Sequence, residues 1–385
     1  MPPTILILGA AGGTGRALIP LLLDHTAARL ILAGRESGAL GVVAGAAAAR
    51  APGRSETRVV DGTSPTAELE GALAGAQLVV VAAPLTRHVP AIVRAATAAG
   101  ADTLDIQCSP EKTAALSALD APIAAAGRTA ITDGGFHPGL PAVLARAVAD
   151  EFSTVRSVRI GSVIQEDWRA LRPRPETARE FMEIIAGTQP AHFVDGRWLR
   201  EPVTSSAALV RFDFGAPFGE RRCYAMALEE MRLWSASRRG LVSAGFYVGG
   251  FNPVVDYVVL PLLIAGHHLA PARSAGPLAR LLLAGLRGFS RPPYGTLLRL
   301  EAEGQRAGQP HRLVLSVFHR DSYALTAMCL AAAIRQWADG SARGPGVRLQ
   351  ALVVEPRRFL RDLERFGATV TEEATSSGAA APASV

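Results

Sequence analysis

Three glycines near the start of the chain, Gly9, Gly12 and Gly15, form the motif Gly-x-x-Gly-x-x-Gly. The apolar segment 5–8 directly before the motif predicts a strand, and the apolar segment directly after it predicts a helix. Glycines at such a turn let backbone N–H groups approach a pyrophosphate, which the partial positive charge of the helix N-terminus also attracts. This context favours a dinucleotide site over a glycine-rich turn without a ligand. We expect the contacts to come from Gly9, Ala11, Gly12, Gly13, Thr14 and Gly15.

The end of the second predicted strand, residues 30–33, distinguishes between the two nicotinamide cofactors. A site for NAD usually places Asp or Glu there to bind the ribose 2′-hydroxyl. Here one glycine and then Arg35 follow the strand, and an arginine suits the 2′-phosphate of NADP. The sequence therefore predicts NADP, with NAD as the alternative because Glu36 comes next. The loops after the third and fourth predicted strands are expected to line the same site through Asp61, Ala83 and Pro84.

Lys112 is the single lysine of the chain, which has 39 arginines. The scarcity of lysine limits the chemistry that is available. The sequence contains no Gly-Lys-Ser/Thr phosphate loop. None of the five tyrosines is followed by a lysine four residues later, so the Tyr-x-x-x-Lys pair of short-chain dehydrogenases is missing. Lys112 itself lies in a polar segment, 109–112, that predicts the start of a helix. Lysine-based catalysis is therefore not expected.

The charge pattern excludes some classes of partner. The net charge of +6 would suit nucleic acid, but basic residues run no longer than pairs and acidic residues are mixed among them. Nucleic-acid binding is therefore not expected.

The three cysteines are far apart and the histidines at 267–268 are adjacent, so neither a disulfide framework nor a metal site is predicted. The first predicted strand begins at once, without a charged leader, and a cytoplasmic location is expected.

The order of predicted elements indicates an α/β fold with two domains. Continuous apolar strands alternate with Ala-rich helices over the first 130 residues, which is typical of a Rossmann-type doubly wound parallel sheet. From residue 136 the strand-like segments become alternating, which predicts an α+β domain with a mixed sheet and a hairpin around 304–308. The predicted boundaries are 1–133 with 321–371 for the Rossmann domain, 134–320 for substrate binding and dimerisation, and 372–385 for a disordered tail.

Two apolar segments in the second predicted domain, 254–266 and 277–288, are too short to span a bilayer. They predict buried helices or the face of a homodimer. Peripheral contact with a membrane or a lipid is the alternative.

Together these motifs resemble the saccharopine dehydrogenase-like (saccharopine reductase-fold) oxidoreductases. The resemblance rests on the glycine loop, on Leu-Ala-Gly-Arg at 32–35, on Thr-Leu-Asp at 103–105 and on Gly-Gly-Phe-His-Pro-Gly-Leu at 134–140. It extends to the segments 195–196, 321–327 and 359–367, and so covers nearly the whole chain. It implies a Rossmann domain completed by C-terminal elements and a second domain that binds substrate and often dimerises. Members of this family act on C–N bonds through imines or reduce other substrates, including lipid-linked C=C bonds.

Hydride transfer needs a substrate held over the nicotinamide and, for some substrates, a proton donor. We expect the catalytic residues to be His137, in the 134–140 turn, and Asp105, at a strand end, with loop and capping roles as the alternatives. Gln165 and Tyr247 are expected to contact a small-molecule substrate from the second domain. The predicted function is an NADP(H)-dependent oxidoreductase that reduces a C=N or C=C bond of a small or lipid-like metabolite. The alternatives are an atypical short-chain-type reductase and a non-catalytic NADP-binding or membrane-associated module.

Overall fold

The computed structural model describes residues 2–171, 190–202, 209–249, 251–263 and 271–376. The chain forms two compact units. The first unit contains Met1–Leu140 and Tyr323–Phe366, and the second contains Pro141–Ser322 and Gly367–Val385. These bounds differ from the predicted ones at the first crossing, where the first unit extends to Leu140, and at the end, where the chain returns to the second unit at Gly367.

The first unit is built on a seven-stranded parallel sheet. Its strands are β1 (Thr4–Leu8), β2 (Arg29–Gly34), β3 (Ser55–Val59), β4 (Leu78–Val81), β5 (Asp102–Asp105), β6 (Thr129–Thr132) and β15 (Gly346–Leu349). Their order is β15-β6-β5-β4-β1-β2-β3, and every neighbouring pair is parallel. The central strands β1 and β4 are almost entirely buried because they carry apolar side chains on both faces. The predicted Rossmann-type sheet is confirmed, including a C-terminal strand that completes it.

Helices connect the strands of this sheet. They are α1 (Gly13–His25), α2 (Ser37–Arg50), α3 (Thr66–Leu73), α4 (Val89–Ala98), α5 (Pro110–Ser117), α6 (Asp120–Ala125), and, from the C-terminal part, α11 (Ser322–Ala338), α12 (Gln350–Val353) and α13 (Pro356–Phe366). Side chains of β1, β4 and α4 share one apolar cluster, so the helices stabilise the sheet by burying its faces. The carboxyl ends of all seven strands therefore lie at one edge, where loops carry the polar residues.

A buried carboxylate connects three elements of the first unit. Asp102, at the start of β5, accepts a hydrogen bond from Trp337 Nε1 of α11 (2.8 Å) and another from the backbone N–H of Thr129 in β6 (2.8 Å). Both the indole and the carboxylate are almost inaccessible to solvent. The pair therefore anchors the C-terminal helix α11 to the interior of the sheet.

The second unit contains a nine-stranded mixed sheet, as predicted. Its strands are β7 (Thr154–Gln165), β8 (Ala191–Val194), β9 (Arg197–Arg200), β10 (Leu209–Asp213), β11 (Glu220–Ala225), β12 (Ser243–Gly249), β13 (Gly295–Arg306), β14 (Gln309–His319) and β16 (Thr369–Ser376). The main path is β10-β11-β12-β7-β13-β14-β16, with β8 paired to β12 and β9 paired to β8. Only β12 and β7 pair in parallel among the described pairs of this sheet.

The predicted hairpin is confirmed, and its turn lies at Ala307-Gly308, where both residues have positive φ. The helices of the second unit that the structure describes are α7 (Leu140–Ala149), α8 (Trp168–Leu171), α9 (Glu229–Ala236), a π-helical segment (Val255–Val259) and α10 (Pro271–Phe289). The predicted disordered tail needs a correction for residues 372–376, because they belong to β16 and pair with β14. The remainder of that tail, 377–385, lies outside the described residues.

The two apolar segments of the second unit pack against each other. Val255 and Val259 of the π-helical segment share a buried cluster with Leu282 and Leu286 of α10. The opposite side of the first segment exposes Tyr257, at 58 % of its surface, together with Val258 and Leu262. Residues 264–266 lie outside the described part of the chain. None of the described helices is long and apolar enough to cross a membrane.

We predict that Trp337→Phe lowers the free energy of unfolding by about 1–3 kcal/mol, because the buried side chain of Asp102 loses a hydrogen bond. Urea denaturation followed by circular dichroism measures the loss. The matched control is Trp198→Phe, since Trp198 Nε1 donates to the neutral hydroxyl of Ser235 (2.8 Å) at a partly buried position. Equal losses in the two variants would contradict the role given to Asp102.

Candidate functional site

The loop between β1 and α1 folds so closely that it has no room for side chains at two glycines. Gly9 has φ +94°, and a Cβ there would lie 2.7 Å from the carbonyl oxygen of Ala82. A Cβ at Gly15 would lie 2.3 Å from the carbonyl oxygen of Gly9. The loop is held by hydrogen bonds from Gly9 N to Ala33 O (2.9 Å) and from Gly12 N to Gly9 O (2.9 Å). The glycines predicted to bind phosphate are therefore required by the backbone itself.

The N-terminus of α1 is open to an anion. Gly12 is its N-cap residue, no side chain caps the helix, and its first turn contains no acidic residue. The backbone N–H groups of the first turn of a helix have no partner within the helix, and they attract negative charge. The residues predicted for the pyrophosphate, Ala11, Gly13 and Thr14 among them, lie in or beside this turn.

Arg35 and Asp61 lie near each other at the ends of β2 and β3. Arg35 directly follows β2 and is exposed, as is Glu36, the N-cap residue of α2. Asp61 accepts hydrogen bonds from the backbone N–H and the hydroxyl of Thr63 (2.9 and 2.8 Å). These two bonds, and to a smaller extent the positive charge of Arg35, hold the pKa of Asp61 below its usual value. An exposed guanidinium at the end of β2 fits a 2′-phosphate.

Ala83 and Pro84 lie in the loop after β4, and Ala83 lies against the glycine loop. A side chain at Gly9 would begin 2.8 Å from Ala83 Cβ, so the loops after β1 and β4 are in contact. These two strands are neighbours in the sheet, and the chain leaves them in opposite directions, toward β2 and toward β5. Ligands of doubly wound sheets bind at such a point.

Asp105 is part of a buried ion cluster at the ends of β5 and β6. Its carboxylate accepts a hydrogen bond from Lys112 Nζ (2.8 Å), which also binds the carboxylate of Asp133 (2.8 Å), the hydroxyl of Thr132 (2.6 Å) and the carbonyl oxygen of Gln107 (2.5 Å). The Lys112 side chain has no solvent exposure. Burial alone would lower the pKa of Lys112, but the two carboxylates outweigh burial and raise this pKa well above its ordinary value.

The cluster gives Asp105 a structural partner. The ammonium is charged at neutral pH, and Asp133 adopts a left-handed backbone conformation (φ +54°) at the point where its carboxylate meets Lys112. The catalytic role expected for Asp105 stays a prediction. Its contact with Lys112 favours the alternative, in which Asp105 has a structural role. The sequence motif around Lys112 predicted a helix start, and Lys112 does lie in the first turn of α5, which Ser109 caps.

His137 lies in the turn that follows Asp133. The amide of Gln350 holds this turn, because its oxygen accepts from Gly135 N and its nitrogen donates to Gly135 O (both 3.1 Å). The imidazole is partly exposed, but its Nε2 atom is buried. Burial lowers the pKa of His137 to about 4, so the ring is neutral at pH 7. The role of His137 as a general acid stays a prediction. At neutral pH, the proton for this role would come from a neutral imidazole.

The predicted substrate residues of the second unit differ in their surroundings. Gln165 ends β7, donates from Nε2 to Arg291 O (2.5 Å) and accepts from Arg221 Nη2 (3.0 Å). Tyr247 is buried in the apolar cluster of that unit with Phe212 and Phe214, and burial raises its pKa. Contact with substrate stays a prediction for both residues. Gln165, which has polar neighbours, suits this role better than Tyr247, which is buried in an apolar cluster.

One residue beside the glycine loop was not singled out by the sequence. The ring of Tyr323 lies 2.9 Å from the point where a side chain at Gly13 would begin, so an aromatic side chain from α11 covers the glycine loop. In the second unit, Glu166 is buried, and its carboxylate accepts from Ser322 N (2.8 Å) and Thr296 Oγ1 (3.2 Å). Burial raises the pKa of Glu166. Contacts between residues so distant in the chain leave no local pattern.

A metal site is not found among the residues that the structure describes, since no three of their His, Cys, Asp and Glu side chains are grouped to hold an ion. The three cysteines are all free thiols.

Comparison with known proteins agrees with this geometry. Residues 5–131, which contain the glycine loop, Arg35, Asp61 and Lys112, match the family model of the saccharopine dehydrogenase NADP binding domain. No curated protein matches the chain.

One solved structure shows a similar fold over nearly the whole chain. The apo form of a histidine-tagged saccharopine dehydrogenase (L-Glu forming) from Saccharomyces cerevisiae is 16% identical, with a TM-score of 0.69 and coverage of 97% of this chain and 100% of that one. The GenD2 protein of gentamicin A biosynthesis, in complex with NAD, is 13% identical over 95% of this chain and 92% of that one, with a TM-score of 0.44. The matched family model is that of an NADP binding domain, which supports NADP as the cofactor.

The residues present fit NADP. The glycine loop makes the tight backbone turn that a pyrophosphate site requires, no side chain caps the N-terminus of α1, and Arg35 occupies the position at which an NAD site has an acid. The pyrophosphate would be bound by the backbone of the glycine loop, and the 2′-phosphate by Arg35. When bound, NADPH supplies a hydride from its nicotinamide ring.

We predict that Arg35→Ala weakens NADPH binding about tenfold or more and leaves NADH binding within about twofold, because a charge-assisted hydrogen bond to the 2′-phosphate is lost. Titration of cofactor fluorescence measures both dissociation constants. Arg29→Ala, at the exposed opposite end of β2, is the control and should change neither. Equal weakening of NADPH and NADH by Arg35→Ala would assign this arginine to general surface charge.

We predict that His137 contributes to acid sensitivity. Its pKa in the folded protein, about 4, lies below the value near 6.5 of an unfolded histidine. Only the unfolded chain then takes up this proton between about pH 6.5 and pH 4, so stability falls in that window as pH falls, by up to about 1.4 kcal/mol per pH unit. Urea unfolding of wild type and His137→Gln at pH 7 and pH 5 measures the difference. Identical losses in both proteins would refute it.

Proposed function

We propose that the chain is an NADPH-dependent reductase of C=N bonds in a small metabolite. The supporting observation is the state of the titratable groups around β5 and β6: Lys112 is bound to both Asp105 and Asp133, and His137 is neutral at pH 7. A protonated imine needs no acid from the protein, because its nitrogen already carries the proton. Such a substrate takes the hydride at carbon and leaves as an amine, while the cofactor leaves oxidised.

The role that we propose for each residue of the site follows from the contacts of that residue. The backbone of the glycine loop binds the pyrophosphate, and Arg35 selects the phosphorylated ribose. Gln350 fixes the turn that carries His137 through its two hydrogen bonds to Gly135. In the second unit, Gln165 holds Arg221 in place, and we propose that this pair contacts a polar or anionic part of the substrate. A homodimer and a cytoplasmic location also stay predictions.

A second candidate is the reduction of a C=C bond in a lipid-like metabolite. Exposed apolar side chains, Tyr257, Val258 and Leu262, favour an apolar partner for the second unit, whether substrate, lipid surface or second copy. This reaction requires a proton at the carbon next to the one that takes the hydride. The neutral imidazole of His137 would be the donor for that proton.

The two candidates predict different pH profiles and different effects of His137→Gln. Turnover is followed by loss of NADPH absorbance with two cyclic imines whose iminium pKa values differ clearly, and with an enone. For C=N reduction, kcat/KM falls above the pKa of each imine, the profile moves with the substrate, and His137→Gln changes turnover by less than about threefold. For C=C reduction, the same variant lowers kcat by about a hundredfold.

Deuterium at C4 of NADPH that appears on carbon of the product confirms hydride transfer in either case. The Arg35→Ala variant is a matched control, because it should raise KM for NADPH without moving the pH profile. Binding of NADPH without turnover of either substrate class would favour a non-catalytic module and contradict both proposals.

A further inference from the structure

One buried amide oxygen at the carboxyl edge of the parallel sheet has no partner within the described part of the chain. Gln107 lies two residues after β5 and exposes only 5 % of its surface. Its Nε2 donates a hydrogen bond to Ala83 O (2.5 Å), but its Oε1 is buried and accepts none. Leaving such an acceptor without a donor is unfavourable, because the oxygen has lost its water and gained no other hydrogen bond. A ligand that donates a hydrogen bond would remove this cost.

The orientation of the amide follows from its neighbour. A side-chain amide has one accepting and one donating end, and Ala83 O can only accept. The Nε2 end must therefore face Ala83, since the reversed amide would place two acceptors at 2.5 Å. The end that remains is the acceptor Oε1, so the site is selective for an N–H or O–H donor.

The position of Gln107 identifies the part of the cofactor that it meets. In the order β5-β4-β1-β2, Arg35 follows β2, the glycine loop follows β1, and Gln107 follows β5. Ala83, which Gln107 contacts, lies against Gly9 of the glycine loop. A dinucleotide with its 2′-phosphate on Arg35 and its pyrophosphate on the glycine loop therefore has its nicotinamide end on the side of Gln107.

We propose that Gln107 Oε1 accepts a hydrogen bond from the carboxamide of the nicotinamide and so fixes the rotation of that ring. The carboxamide is the group at this end of the cofactor that carries N–H donors. A fixed rotation determines which face of the ring is presented to a substrate. The inference rests on NADP(H) binding and is independent of whether the substrate bond is C=N or C=C.

Lys112 is the positioning residue for this glutamine. Its ammonium binds Gln107 O (2.5 Å), and Asp105, which it also binds, accepts from Gln107 N (3.1 Å). Four oxygen atoms lie within 2.8 Å of Nζ, an arrangement that suits a compact ammonium and not a planar guanidinium. This geometry accounts for a lysine here in a chain that uses arginine at 39 other positions.

The test compares three ligands by calorimetry: NADP⁺, its 3-acetylpyridine analogue, in which a methyl group replaces the amide nitrogen, and 2′,5′-ADP, which lacks the nicotinamide. Wild type should bind NADP⁺ about three- to tenfold more tightly than the analogue, the value of one hydrogen bond. Gln107→Leu should bind both equally and should keep its affinity for 2′,5′-ADP, which also reports that the variant is folded. Lys112→Arg should lose the same discrimination.

The matched control is Gln77→Leu, because Gln77 also makes one hydrogen bond to the backbone, from Thr4 N (3.0 Å), but at an exposed site. It should leave all three affinities unchanged. Equal weakening of all three ligands by Gln107→Leu, or equal affinity of wild type for NADP⁺ and the analogue, would overturn the assignment. Failure of wild type to bind even 2′,5′-ADP would instead overturn cofactor binding itself, and the proposed function with it.

Discussion

One buried ammonium determines the shape of the sheet edge at β5 and β6. Lys112 neutralises one of two carboxylates, Asp105 and Asp133, that lie at the ends of these strands and would otherwise repel each other in a region without solvent. Losing one partner of such a buried pair typically costs about 3–5 kcal/mol, because the remaining charge is uncompensated. The loops that carry Gln107 and His137 both begin at these strand ends. Their conformations therefore depend on an interaction that serves no step of the chemistry directly.

Local pattern was sufficient to predict the parallel sheet and the glycine loop. Uninterrupted apolar strands are buried on both faces, and the spacing of Gly9, Gly12 and Gly15 reflects steric limits that act within a few residues. The same reasoning was wrong for residues 372–376, which were predicted to belong to a disordered tail. These residues form an edge strand that is stabilised by backbone pairing with β14, and edge pairing requires little from the side chains.

The candidate site could be predicted only on its phosphate side. Arg35 and the glycines act through backbone geometry and charge that a short motif reveals. The other half is assembled from contacts across the sequence, such as Tyr323 over Gly13 and Gln350 on Gly135, which are separated by more than 200 residues. The pKa of His137 likewise depends on burial, and burial depends on the tertiary structure.

The path of the chain through the two units bears on its synthesis. The parallel sheet receives its last strand, β15, from residues 346–349, and the mixed sheet receives β16 after that. Neither unit corresponds to a continuous stretch of the gene. On the ribosome, the sheet that carries the cofactor edge is incomplete until the whole second unit up to β14 has been made. The last strand of each sheet is therefore made only after all the other strands of that sheet, and neither unit can be excised as a single uninterrupted fragment.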